Sequence, residues 1–213
     1  MQEPTSQACG PRFYLSLVLL SAFLFWSSPQ ALAQQARGAA RTADEKSTAR
    51  FDETFRKYSK RYFGVAFDWR HFKAQAMAES ELNPSALSHV GAKGLMQLMP
   101  STFNAIASKR PEFTSIDDPE WNIAAGIMHD RYLWKLWSPV IDEPQRPAFM
   151  FASYNAGEGT ITRATKKAEA AQLQATSWDS IVQVAPTVTN WRYQETIGYV
   201  KKIDSNYAAL KRK

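Results

Sequence analysis

The chain has 213 residues, of which 45% are hydrophobic and 22% charged, and carries a formal net charge of +6. That balance belongs to a soluble globular protein able to bury a core, sized for one domain plus extra segments. A single cysteine, Cys9, excludes a disulfide framework and a thiolate zinc site.

The N-terminal segment reads as an export signal. Arg12 precedes an apolar run from Phe13 to Trp26, and Ser27-Ser28-Pro29 leads into Ala31-Leu32-Ala33. A basic residue, an apolar stretch and a small-residue cleavage site in that order predict a signal peptide over residues 1–33. The run is short of the roughly 20 apolar residues that a spanning helix needs, and an uncleaved anchor is the alternative. Cys9 lies before the run, whereas a lipoprotein cysteine follows it. The expected location is the periplasm. Arg12 and Glu3 cancel, so the exported part keeps the positive excess. Such a charge suits an acidic polymer, for instance an anionic cell wall or a membrane surface, better than nucleic acid outside the cytoplasm; solubility alone explains it equally well.

Residues 34–50 are polar, alanine-rich and without an apolar stripe, which predicts a flexible leader. The domain is expected over 51–213, with helical patterning throughout and no convincing strand alternation. Phe51, Phe55, Tyr58 and Tyr62 mark a helix from Phe51 to Phe63. Asp68 is placed to cap a second from Trp69 to Ser80. A third is expected from Pro100 to Lys109. Asp117-Asp118-Pro119 opens a fourth, Glu120 to Leu136, with the proline at a favoured first-turn position. Pro144 to Tyr154, Thr160 to Ala175 and Trp191 to Leu210 complete a mostly α domain.

Two acids near the end of the second helix, Glu79 and Glu81, raise the question of chemistry. At 100° per residue, Trp69, Phe72, Ala76 and Glu79 share one face about 80° wide. Glu79 therefore extends the apolar stripe, where burial and the negative end of the helix dipole both raise its pKa. Glu81 points to solvent, and Asn83-Pro84 ends the helix. Taken alone, Glu79 is better explained by a carboxylate that reaches back to water, since glutamate is mostly exposed.

The loop that follows, VGAKGLMQLMP, spaces Gly91 and Gly94 for positive φ or a close ligand. Leu95, Met96 and Met99 fit a core, while an inward Gln97 needs hydrogen-bond partners. SYNAGEG puts Tyr154 and Asn155 at a helix end ahead of Gly157, an arrangement that also suits a plain C-cap. Glu195 and Tyr199 are four apart on one face of the last helix.

In this order the segments resemble the soluble lytic transglycosylase catalytic domain, a lysozyme-like fold related to goose-type lysozyme. The resemblance runs from about Phe51 to Leu210. It rests on Glu79-Ser80, on GLMQ at Gly94 to Gln97, on YNAG at Tyr154 to Gly157, and on ETIGYV at Glu195 to Val200. DPEWNIAAGI at Asp118 to Ile127 matches the family's helix-opening segment. It implies a mostly α, lysozyme-like helical domain with a substrate cleft. Glu79 is then the single catalytic acid/base. Ser88 matches a serine near the reacting sugar, Gln97 and Met99 line the cleft, and Tyr154 and Asn155 form the tyrosine-asparagine motif. Tyr199 approaches the catalytic carboxylate, and Glu195 is a cleft-side acid. Ser153 departs from the more typical alanine before the motif. The implied substrate is the glycan strand of peptidoglycan, cut without metal or cofactor by a monomer, with room for partners in an envelope machine and no nucleic acid.

Asp117, Asp118 and Glu158 stay open as a second acid. So do a hydrolysing muramidase, a non-catalytic glycan-binding protein and a wall-opening enzyme serving a secretion or conjugation system.

Overall fold

The computed structural model describes residues 49–212 and Gln34. The signal segment expected over 1–33 lies outside the described residues, as does nearly all of the leader expected over 34–50. The chain divides into two units, Met1–Asp44 and Glu45–Lys213, and the second is the helical domain.

Eight α-helices among the described residues form this domain: α1 (Asp52–Phe63), α2 (Arg70–Ser80), α3 (Pro100–Ala107), α4 (Pro119–Trp137), α5 (Arg146–Ala156), α6 (Glu158–Ala170), α7 (Trp178–Val184) and α8 (Tyr193–Lys211). A 3-10 turn, Ala185–Thr187, follows α7. No helix among the described residues is long and apolar enough to cross a membrane. The only bridge pairings among them are isolated ones, Leu87 with Lys93 and Lys93 with Leu98.

Local chemistry explains the boundaries. Asp118 Oδ1 accepts the backbone N–H groups of Glu120 and Trp121 at 2.8 and 3.3 Å, and Pro119 supplies a preset first turn for α4. α2 starts one residue later than expected, at Arg70 with Trp69 rather than Asp68 as its N-cap; Asp68, one position earlier, still accepts Arg70 N–H on Oδ1 at 3.1 Å. Glu81 takes the left-handed conformation, φ 54°, and closes α2 through its N–H to Met77 O. The helix therefore stops two residues before Asn83-Pro84.

α4 is the central element. Ile123, Ala124, Ala125, Gly126, Ile127, Leu133 and Trp134 are all buried along it. α1 and α5 pack on it, and α5 in turn touches α6 and α8. Tyr58 OH and Lys57 Nζ of α1 hold Glu120 at 2.8 and 2.7 Å. Buried Lys73 on α2 pairs with Asp52 at the start of α1.

α8 lies along α2. Asn206 Nδ2 donates to Ala74 O and Lys202 Nζ to Ala78 O, both at 3.1 Å, while Tyr207 OH donates to Asp68 Oδ2 at 3.0 Å. Residues 199–207 thus run beside 68–79, and this pairing fixes what faces Glu79.

Candidate active site

Glu79 sits in the last turn of α2 on the face that carries buried Phe72 and Ala76. The residue is half-buried. The OH of buried Tyr199, on α8, donates to Glu79 Oε1 at 2.6 Å. Burial pushes the Glu79 carboxyl up, while the Tyr199 bond and the charge of Lys202 pull it partly back, leaving it at about 7. Burial also raises the Tyr199 phenol, with the nearby Glu79 charge adding to it, so the hydroxyl stays a donor.

The glycine loop packs on this helix end. Ser80 Oγ donates to Leu95 O at 2.9 Å, joining α2 to the GLMQ segment. Gly91 and Gly94 both have positive φ, 87° and 74°. At Gly94 a side chain is also excluded by space, because a Cβ would lie 2.4 Å from Asn122 Nδ2. Asn122 clamps the loop: its Nδ2 donates to Lys93 O and Ile116 O at 2.9 and 3.0 Å, and its Oδ1 accepts Met96 N–H at 2.8 Å. Gln97 has φ 44°, a strained value for a non-glycine residue. Its Nε2 donates to Gly94 O and Ala86 O at 2.9 and 3.2 Å, which holds it there and leaves Oε1 outside those bonds.

Tyr154 joins the same cluster. Its hydroxyl donates to Met96 O at 2.8 Å, and burial raises its pKa with smaller effects from Asp130 and Glu79. Leu95 and Met96 are core residues, whereas Met99 is 40% exposed and so belongs to the surface beside the loop. Ser88 Oγ accepts Ala92 N–H at 2.9 Å, closing the Ser88–Ala92 turn. Ser153 is buried and its Oγ accepts Trp137 Nε1–H at 2.9 Å, which gives the departure from alanine a structural role.

Asn155 and Glu195 stand together but apart from the Glu79–Tyr199 bond. Trp191 Nε1 donates to Thr196 Oγ1, which donates to Asn155 Oδ1, at 3.0 and 2.8 Å. Both residues line a hollow of about 200 Å³, and Glu195 is exposed and paired with Arg192 at 2.9 Å. Of the three acids left open as a second carboxylate, Asp118 is committed to the α4 cap. Asp117 is exposed and pairs with Lys93, and Glu158 accepts Tyr132 OH at 2.9 Å.

A cavity of about 820 Å³ opens between α3 and α4. Arg61, Lys109, Arg110, Arg131 and Lys135 line it, together with the carboxylate of Glu158. Glu79 is not among its lining residues. The link is His129, which lines the cavity and packs its ring 5.3 Å from that of Tyr154.

Sequence patterning did not single out Asn122, Gln75 or Asp130. Asn122 lay in a segment marked only as a helix opening, although a polar residue among Trp121, Ile123 and Ala124 signals an inward amide. No group of three or more metal-ligating side chains is found among the described residues.

Known proteins share this arrangement of elements. The family model for the transglycosylase SLT domain matches residues 53–176, more than half of the chain. The membrane-bound lytic murein transglycosylase F of Desulfosudis oleivorans is 31% identical over 158 residues, which is 69% of this chain and 34% of that protein. Its namesake from Shewanella woodyi is 32% identical over 154 residues, 70% of this chain and 31% of that one. The crystal structure of the 70 kDa soluble lytic transglycosylase of Escherichia coli superposes with a TM-score of 0.58 at 29% identity, covering 76% of this chain and 24% of that one. A complex of the 70 kDa soluble lytic transglycosylase with bulgecin A gives a TM-score of 0.59 at 27% identity, covering 85% and 28%. The chain thus spans about a third or less of the length of these relatives. By the extent of the model match and the shared helical, lysozyme-like fold, the chain belongs to the transglycosylase SLT domain family.

Proposed function

We propose that the protein is a peptidoglycan lytic transglycosylase that cuts the β-1,4 bond between N-acetylmuramic acid and N-acetylglucosamine without water. The observation that carries this is the Glu79 carboxyl held at about 7 by burial and bonded to Tyr199 OH at 2.6 Å. A group poised near neutral pH serves as acid and then as base. The names of its relatives, lytic murein transglycosylases, support the same substrate.

Protonated Glu79 gives its proton to the glycosidic oxygen as the bond from that oxygen to the muramoyl anomeric carbon breaks. The 2-acetamido group of the substrate stabilises the cationic centre, as in substrate-assisted glycosidases. Glu79, now ionised, takes the proton of the muramoyl 6-hydroxyl. That oxygen bonds to the anomeric carbon and yields a 1,6-anhydro ring, with Glu79 protonated again. Tyr199 OH stabilises the ionised form in between, since a bond to a charged acceptor is stronger than one to a neutral acceptor.

Gln97, Met99, Tyr154 and Ser88 would flank the sugar at the loop side, and Asn155 and Glu195 would meet it further along. The apolar N-terminal run would direct the chain to the periplasm, where this glycan lies.

The test is release of soluble muropeptides from purified wall. Glu79→Gln keeps the fold and abolishes release; release at the parental rate would remove Glu79 from the mechanism.

A further inference from the structure

Beneath Glu79 lies a second carboxyl that this acid/base chemistry leaves unused. Asp130 of α4 is fully buried. Its Oδ1 accepts Gln75 Nε2–H at 3.3 Å, and Gln75 is itself fully buried. The other oxygen of each group, Asp130 Oδ2 and Gln75 Oε1, has no hydrogen-bond partner among the described residues. Gln75 precedes Glu79 by four residues, so the two share one face of α2.

Charge makes the pairing informative. Among the described residues no lysine, arginine or histidine forms an ion pair with Asp130. The titratable groups that face it are Glu79 of α2, Tyr154 of α5 and Tyr199 of α8, none of them cationic. An ionised Asp130 would be an acceptor only, as Gln75 Oε1 is. Two buried acceptors would then lack a donor, and a buried charge would lack a counterion. A proton on Oδ2 converts that oxygen to a donor, and Gln75 Oε1 is the open acceptor of its bonded neighbour.

We propose that Asp130 is a positioning residue held as a neutral carboxylic acid, its Oδ2–H donated to Gln75 Oε1 while Gln75 Nε2–H is donated to Asp130 Oδ1. The reciprocal pair makes a polar but uncharged floor one turn below Glu79. This rests on Glu79 being the acid/base. To act as a base Glu79 must ionise, and a negative charge at Asp130 would oppose that step. Burial acts in the same direction on Asp130 itself, pushing its carboxyl well above the usual carboxylate range. Being enclosed, Asp130 touches no substrate and is not the second carboxylate of a glycosidase pair.

Infrared spectroscopy of Glu79→Gln protein, which lacks the Glu79 carboxyl, against Glu79→Gln/Asp130→Asn at neutral pH tests this directly. The expected result is a carboxylic-acid carbonyl band in the first that is lost in the second. Absence of the band from the first overturns the proposal. If the double variant does not fold, carbon-13 labelling of aspartate in Glu79→Gln protein gives the same answer. One carboxyl carbon keeps its acid chemical shift through neutral pH; titration of every aspartate below neutral overturns the proposal. In the pH profile of wall cleavage, Asp130→Asn keeps the Glu79 midpoint because the amide supplies the same donor, and Asp130→Leu lowers kcat because it supplies none. A fall in the Asp130→Asn midpoint by roughly one unit or more would mean that a charge had been removed, and contradicts the neutral acid. Persisting activity in Glu79→Gln would instead strike at the catalytic assignment and leave the spectroscopic result standing.

Discussion

Glu79 is costly to hold where it is, and the cost has a pH dependence. In the folded protein its carboxyl titrates at about 7, against an ordinary 4.5. Between those values the folded state binds more protons than the unfolded chain, so stability falls as pH rises through the window. The loss is complete above the folded value and absent below the unfolded one. Glu79→Gln removes the titration, so it is expected to exceed the parent in stability by on the order of 3 kcal/mol near pH 8 and to match it near pH 4. Thermal unfolding at the two pH values checks this. Tyr199→Phe removes a bond that lowers the Glu79 pKa. The midpoint of the pH–rate profile should therefore rise, and kcat should fall by roughly 10- to 100-fold, the worth of a hydrogen bond to a charged group. A rate and midpoint equal to the parent would leave the hydroxyl without a part. Helical phase was enough to place Glu79 inward, and the matched segments were enough to expect Tyr199 beside it. Asp130 was hidden because it stands between His129 and Arg131, a polar trio that reads as a solvated face until Gln75 of α2 and the tyrosines of α5 and α8 meet it.

Among the elements, the GLMQ loop is the most tightly specified, and its specification comes from α4. Gly94→Ala meets both a positive φ and the Asn122 amide, so it is expected to destabilise by on the order of 3 kcal/mol, read from urea unfolding. Asn122→Ala removes three hydrogen bonds that hold residues 93, 96 and 116. Its expected signature is a loss of cleavage larger than the loss of helical signal, because the loop is released while the packed helices persist. The glycines of this loop were legible from their spacing; the clamp was not, since it joins residues far apart in sequence. The helix boundaries moved for similar reasons. α6 ends at Ala170 rather than Ala175, and α7 was missed, because Trp178–Val184 is too short to show a periodic stripe. Glu195 shares a face with Tyr199 in sequence, yet it lies one turn nearer the start of α8, where it lines the Asn155 hollow and pairs with Arg192.

At the scale of the folded unit, α8 against α2 brings the acid and its phenol together, and the cavity between α3 and α4 gives the approach to Tyr154 its charge. Five cations line that cavity, and its carboxylate, Glu158, is occupied by Tyr132. A strand bearing peptide stems carries carboxylates that such a surface attracts. Lys109→Glu/Arg110→Glu is therefore expected to raise KM several-fold with kcat nearly kept, and the difference should fade at high salt. Equal KM values at low salt would show that these cations face no substrate. Net charge alone hinted at an acidic polymer; where the charge gathers depends on which helices meet. The central claim, that one carboxyl cuts the glycan with the substrate's own hydroxyl as nucleophile, is tested most directly by the masses of the released muropeptides. The account predicts 1,6-anhydromuramoyl ends, with no water gained per cut. Products each heavier by one water, lost together in Glu79→Gln, would contradict it and make the protein a hydrolase.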